Sequence, residues 1–363
     1  MKGTLNLKNN NIINAVIVGC GRIAKKHFDA INLIANDTVK ILAVSDLNID
    51  KCATLVGDRV DIIQSTNFKA KTILNECNLG IILSESGNHF QHAAEFLKRS
   101  IDVLIEKPVT LKLEDADELE RIALANNCKV YVVKQNRYNP PIVLARRAFE
   151  NGDLGSLNIG TIRVRWCRKQ DYYDQASWRG TWAMDGGVIA NQASHHVDLL
   201  RWFFGPVKSL KAYASTYGVE IETENTVVAV IEFETGALGT LEATTCTRPR
   251  NLEGSLSLIG SKGSIEVGGF AVNELINFDT RNDDFLTNSK KEMPQDTNDV
   301  YGSGHVKVYE EIVKDRCGLD NTAVMLAEAK NSLELIHMIY KSIEENRTVY
   351  SSEKDLRSMK LGL

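Results

Sequence analysis

Along the first third of the chain, short uninterrupted apolar runs alternate with segments whose apolar positions recur every three or four residues. The first run is "IINAVIVG", where continuous Val and Ile suit a parallel strand covered on both faces. "VKILAVSD", "LGIILSE", "DVLIEK" and "KVYVVKQN" repeat the theme. Amphipathic stretches such as "HFQHAAEFLKRS" and "EDADELERIALANN" separate them. This alternation predicts an α/β domain built on a doubly wound parallel sheet.

The pattern changes after about Asn136. "PIVLARRAFENG" predicts a short helix, "LNIGTIRVRW" a strand, and "SHHVDLLRWFF" a second helix beyond a long irregular stretch. From Val207 to Phe278 apolar and polar positions alternate, with "ETGA" and "GSKGS" as hairpin turns. An α+β domain follows, with an open-faced, mostly antiparallel or mixed sheet. Residues 279–300 are polar and read as a loop, and two helices close the chain.

At 363 residues two domains are expected, one over 1–136 and the other over 137–363. With 43% hydrophobic and 25% charged residues the composition is that of a water-soluble globular protein. A formal charge of -4 argues against a nucleic-acid surface, which concentrates Lys and Arg. No apolar run approaches a membrane span, and "MKGTLNLKNNNIIN" has no signal-peptide core. The seven scattered cysteines form no CxxC pair, so no zinc knuckle or disulfide framework is expected and a reducing cytoplasm suits them.

"VIVGCGRIAKKHFDAI" sets Gly19 and Gly21 between a strand and a helix, with Ala24 in the third small position. Such a turn brings backbone close to a pyrophosphate, and the helix start at Arg22 and Ile23 offers its amides to the phosphates. Asp46 ends the next strand, where a carboxylate accepts ribose hydroxyls and repels a 2'-phosphate. NAD is therefore the expected cofactor of a Rossmann domain. Asp46 also fits a cap on the following helix.

"VLIEKPVT" puts Glu106, Lys107 and Pro108 at the carboxyl edge of the sheet, where ligands bind. Pro108 restrains Lys107 to an extended conformation. In "DGGVIANQASHHVDLLRWFFG", Asn191 and His195 share a face if the helix begins by Asn191, and Asp198 is placed to orient the His195 imidazole. His196 points elsewhere and reads as packing or surface. One His and one Asp make a poor metal site, so no metal is expected. Tyr172, Tyr173, Trp178 and Arg179 lie in a stretch that fits a substrate loop, with Arg179 pairing a carboxylate or phosphate. Packing of Trp178 and Trp182 under the sheet fits equally well.

With GxGxxA, "EKP" and the "GG…N…H..D" helix in this order, the chain resembles the Gfo/Idh/MocA oxidoreductases over nearly its whole length. That resemblance implies a Rossmann domain joined to an open-faced sheet, acting on sugars or cyclitols. It implies Lys107 and His195 as catalytic residues. It places Ser84, His89, Glu106, Lys107 and Gln135 at the cofactor, and Asn191, Tyr172, Arg179, Asp198 and His305 at the substrate. Where the family often has Asp four residues before the His, this chain has Asn191, and Glu85 replaces a usual Pro.

"VVKQNRYNPP", "WCRKQDYYDQASWRGTWAMDGG" and "NQASHHVDLL" resemble the subgroup that oxidises the 3-hydroxyl of UDP-N-acetylglucosaminuronic acid for surface polysaccharides. A keto-sugar-nucleotide reductase, an inositol or free-sugar dehydrogenase, and a non-catalytic NAD-sensing regulator are the rival readings. A homodimer or homotetramer joined through the open sheet is expected, since an exposed apolar sheet face invites association.

Overall fold

The computed structural model describes residues 12–34, 38–280 and 304–363. The first eleven residues, and the expected loop at 279–300 beyond Thr280, lie outside the described residues. The chain forms two compact units, the first made of 1–110, 114–133 and 305–329, the second of 111–113, 134–304 and 330–363. A single cut at 136 is thus replaced by a chain that returns to its first unit.

The first unit holds β1 (Ile13–Val18), β2 (Val39–Ser45), β3 (Ile63–Ser65), β4 (Leu79–Ile82), β5 (Asp102–Ile105) and β6 (Val130–Val132). Their order is β3-β2-β1-β4-β5-β6, with every neighbouring pair parallel. The order in which strands are added reverses between β1 and β4, and a ligand crevice forms at such a switch point. β4 is buried throughout, as its unbroken apolar run requires.

The returning segment is held to this sheet by polar contacts that no hydrophobic pattern advertises. Val132 donates its amide to the Val324 carbonyl at 2.9 Å. Arg316, on the helix Gly304–Arg316, reaches the Asp102 carboxylate at 2.6 Å and the Asn78 carbonyl at 2.7 Å. Asp315 accepts from the Tyr131 hydroxyl at 2.6 Å.

The second unit contains β7 (Leu157–Arg165), β8 (Val207–Ser215), β9 (Thr226–Phe233), β10 (Leu238–Thr244), β11 (Glu253–Gly260), β12 (Ser264–Gly268), β13 (Glu274–Asp279) and β14 (Val349–Tyr350). They form one sheet ordered β13-β12-β11-β7-β10-β9-β8-β14. β7 and β10 pair in parallel; the other neighbours are antiparallel. This is the mixed, mostly antiparallel sheet that the alternation predicts.

Along β9 the period of two separates the faces. Val227, Ala229, Ile231 and Phe233 are buried, while Val228 and Val230 are exposed. The helix Ser194–Phe204 covers the inner face, with Phe204 stacked on Phe233 at 5.0 Å between ring centres. Burying one such ring contributes about 1.5–3 kcal/mol. The outer face exposes Ile159, Tyr213, Val228, Val230 and Leu238, beside a paired Arg165 and Glu242.

Candidate active site

In the first unit, Gly19 follows β1 with a φ of +96°, and a Cβ there would lie 2.7 Å from the Leu83 carbonyl and the Ser84 amide. Only glycine fits that turn. Gly21 is different: a Cβ there would meet nothing within 4 Å, so backbone stands beside open space. Exposed Arg22 and half-buried Ile23 lead into the helix Ala24–Leu33, which no side chain caps. These residues fit a dinucleotide pyrophosphate.

Asp46 ties this loop together. Its Oδ2 accepts the Cys20 amide and its Oδ1 the Asn48 amide, each at 2.9 Å. Asn48, rather than Asp46, caps the next helix, accepting from the Asp50 amide at 2.9 Å. Each Asp46 oxygen retains a second lone pair, which suits ribose hydroxyls. The Cys20 thiol, 3.6 Å from Cys52, is pushed far up by burial and stays protonated.

Ser84 bonds His92 through its hydroxyl at 2.9 Å. His89, expected at the cofactor, is instead buried, with Nδ1 2.8 Å from the Pro108 carbonyl and Nε2 2.9 Å from the Ser84 carbonyl. Burial lowers this imidazole, so its single N–H donates to one of the two carbonyls, and the other stands beside the bare ring nitrogen. Lys107 sits half-buried just past β5, while Glu106 beside it is buried. His305, expected at the substrate, is buried in this unit with its Nε2 3.8 Å from Glu106.

In the second unit the helix carrying His195 begins at Ser194, so Asn191 lies in the preceding turn rather than on the helix. Asn191 donates to the Asp185 carboxylate, whose other oxygen accepts the Gly180 amide at 2.7 Å. The carboxylate absent at position 191 thus stands one contact away. His195 meets Gln135, whose amide nitrogen lies 3.0 Å from Nε2. Gln135, expected at the cofactor, belongs to this imidazole. An amide nitrogen only donates, so Nε2 accepts and the ring proton sits on Nδ1.

Asp198 does not orient His195. It is buried and takes Arg137 on both oxygens, at 2.7 and 3.0 Å, with Lys134 at 3.2 Å. Burial pushes its carboxyl upward, but the charges of Arg137 and Lys134 overcome that and hold it far below the usual range. His196 is fully buried against Trp166, as packing, and burial drives it down to about 4.

The irregular stretch makes a basic, aromatic cluster. Arg179 donates to the Tyr172 hydroxyl at 2.7 Å and stacks on the Tyr172 and Trp178 rings, at 4.5 and 4.4 Å from their centres. Arg168 stacks on Tyr172 from 5.2 Å, a second guanidinium that the sequence reading missed although it opens the same stretch. Trp178 is therefore in this cluster, whereas Trp182 packs edge-on to Tyr340.

A dinucleotide turn at the switch point of a parallel sheet, joined to a mixed open sheet, defines an NAD-binding oxidoreductase. The chain belongs to the GFO/IDH/MocA oxidoreductase family. Residues 13–134 match the family's NAD-binding Rossmann fold and 142–266 its C-terminal domain. A WlbA dehydrogenase from Chromobacterium violaceum, solved with NADH and UDP-GlcNAcA, is 34% identical, with a TM-score of 0.85 over 95% of this chain and 97% of that one. The WlbA dehydrogenase from Bordetella pertussis, solved with the same two ligands, is 33% identical, with a TM-score of 0.86 over 96% and 100%. Myo-inositol 2-dehydrogenase of Thermotoga maritima is 21% identical over 93% of this chain and 98% of its own. Oxidoreductase P35 of Formosa agariphila is 26% identical, and the match spans 63% of its length.

The turn entering the His195 helix hangs on a buried acid. Glu224 Oε1 accepts the Tyr340 hydroxyl at 3.0 Å and the Ile189 amide at 3.3 Å, and Tyr340 in turn accepts the Gly187 amide at 3.1 Å. Burial raises the Glu224 carboxyl to about 7 from 4.5. A raised acid favours the folded state below pH 4.5, and that contribution is lost as pH climbs through 7. The whole effect is on the order of 3 kcal/mol. Glu224→Gln should therefore lose less stability than the wild type between pH 5 and 8, read by denaturant unfolding. Parallel pH curves for the two proteins would contradict a neutral Glu224.

Proposed function

We propose that the protein oxidises a secondary hydroxyl of a nucleotide sugar, with the 3-hydroxyl of UDP-N-acetylglucosaminuronic acid as its substrate. The observation that carries this reading is the match, at 34% and 33% identity over 95% and 96% of the chain, to WlbA dehydrogenases solved with that nucleotide sugar. The Arg179, Tyr172, Trp178 and Arg168 cluster supports it, because stacked guanidiniums suit a carboxylate or diphosphate.

Gly19, Gly21, Arg22, Ile23 and Asp46 hold NAD, which supplies the hydride acceptor when bound. The chain's own residues manage the proton. His195 presents Nε2 as an acceptor, and the substrate hydroxyl takes the place of the Gln135 amide there, giving up its proton as the C–H bond breaks. Lys107, in the first unit, carries the ammonium suited to steadying the developing negative charge of an alkoxide. Asn191, fixed by Asp185, donates to a neighbouring hydroxyl.

We also propose that the outer face of the second unit's sheet is covered by a second copy of the chain. Exposed Ile159, Tyr213, Val228, Val230 and Leu238 together make an apolar surface that a monomer would leave in water.

Purified protein with NAD and a panel of UDP-sugars, followed by NADH absorbance and with a keto-acid acceptor in parallel, should turn over on the uronate. His195→Ala should lower turnover by about 100-fold or more. Activity on inositols with none on uronates would overturn the substrate, and wild-type turnover in His195→Ala would remove its role. Sedimentation should give a dimer or larger species, which Val228→Glu with Val230→Glu dissociates. A wild-type monomer at micromolar concentration would contradict the shared sheet.

A further inference from the structure

The proposed chemistry depends on where the Lys107 ammonium points, yet that side chain is only half-buried. The main chain on either side of it is held by buried partners. The Lys107 amide donates to Glu106 Oε2 at 2.8 Å. Glu106 Oε1 lies 3.0 Å from Nε2 of His27, and His27 Nδ1 lies 2.6 Å from the Tyr309 hydroxyl. On the other flank, the buried His89 ring lies 2.8 Å from the Pro108 carbonyl and 2.9 Å from the Ser84 carbonyl. All of these partners are in the first unit, and His27, Glu106, Tyr309 and His89 are buried.

The protons in this chain have one consistent arrangement. Burial lowers His27, so its imidazole is neutral and carries a single N–H. Burial raises Tyr309, whose hydroxyl keeps its proton and is free to donate. Burial would raise Glu106 as well, but the hydrogen bond from His27, with His305 3.8 Å away, holds it well below the usual range, so it is an anion. Tyr309 therefore donates to His27 Nδ1, His27 donates from Nε2 to Glu106, and Glu106 accepts the Lys107 amide.

We propose that His27 and Tyr309, acting through Glu106, are positioning residues for Lys107: they fix the carboxylate that holds the lysine's main chain, and so aim its ammonium. The proposal rests on the reading of Lys107 as a group that touches substrate. Each carboxylate oxygen has a fixed donor, so a small rotation of Glu106 would carry Lys107 with it. A misplacement of about 1 Å at a reacting group costs on the order of 100-fold in rate. Ligand atoms of His27, Glu106 and His305 also lie within 4.8 Å of one another, a set that resembles a metal site. Metal binding would need the opposite His27 tautomer, with the Nε2 lone pair facing inward and Tyr309 accepting from Nδ1.

The test compares His27→Leu, His27→Gln and Tyr309→Phe in the full-length protein. His27→Gln restores an N–H toward Glu106; Tyr309→Phe removes only the terminal donor and is the variant best placed to fold normally. Single-turnover hydride transfer should fall about 10-fold or more in His27→Leu and less in Tyr309→Phe. His27→Gln should recover most of the loss, with NAD affinity by calorimetry within about 2-fold throughout. Equal losses in His27→Leu and His27→Gln that track melting temperature, or no loss in any variant, would overturn the proposal. So would activity lost to a chelator and restored by zinc.

A wild-type protein that transfers no hydride from any sugar would instead fail the functional reading. Lys107 can then be trapped with pyridoxal phosphate and borohydride and quantified by peptide mass spectrometry. A labelling rate at Lys107 that changes in His27→Leu and returns in His27→Gln sustains the positioning role. Identical rates in all proteins contradict it.

Discussion

A carboxylate removed from water must be met by fixed donors, and each unit of this protein places such a carboxylate next to a residue proposed to do chemistry. In the first unit it is Glu106, adjoining Lys107 and answered by His27. In the second it is Asp198, three residues beyond His195 and answered by Arg137 and Lys134. Removing one partner of a buried ion pair typically costs about 3–5 kcal/mol, which fixes Asp198, while Glu106 without the neutral His27 would be a buried charge lacking a donor. Asp198 is not a contact of His195, but it holds Lys134 and Arg137, the residues that flank Gln135. Gln135 sits on the His195 ring. Buried charge thereby holds the segment that carries Gln135 against the His195 ring.

The cofactor end rests on a different constraint, that of space. Gly19 is pressed so closely against Leu83 and Ser84 that no side chain fits, while Gly21 leaves its side open. The same strand ends supply Asp46, which is already bonded to the glycine loop through the Cys20 amide. The loop and the Asp46 carboxylate are thus one preorganised piece, which lowers the ordering cost of binding a dinucleotide.

Features set by local chemistry were legible in the sequence. The apolar runs of β1, β4 and β5, the glycine turn, the alternation along β9 and the helix at Ser194–Phe204 all follow from spacing and residue type. Features set by partners distant in the chain were not. His27 lies three residues after Ala24 on an apolar helix face, and nothing local announces Glu106 79 residues away. The return of 305–329 to the first unit is written in Arg316 with Asp102 and Val324 with Val132, contacts that carry no periodic signal. His89 and Gln135 are placed at the cofactor by a resemblance alone, and no local pattern announces their contacts with the Pro108 carbonyl and the His195 ring. The Asn at 191 looked like a lost carboxylate until Asp185 was found holding it.

We propose that a sugar carbinol hydrogen moves as hydride to NAD on this chain. UDP-N-acetylglucosaminuronic acid carrying deuterium at C3 tests it directly, with the nicotinamide product analysed by mass spectrometry and proton NMR. One deuterium is expected on C4 of the nicotinamide ring, on a single face, and none in solvent. Deuterium recovered in water, or a nicotinamide without label while substrate is consumed, would contradict it.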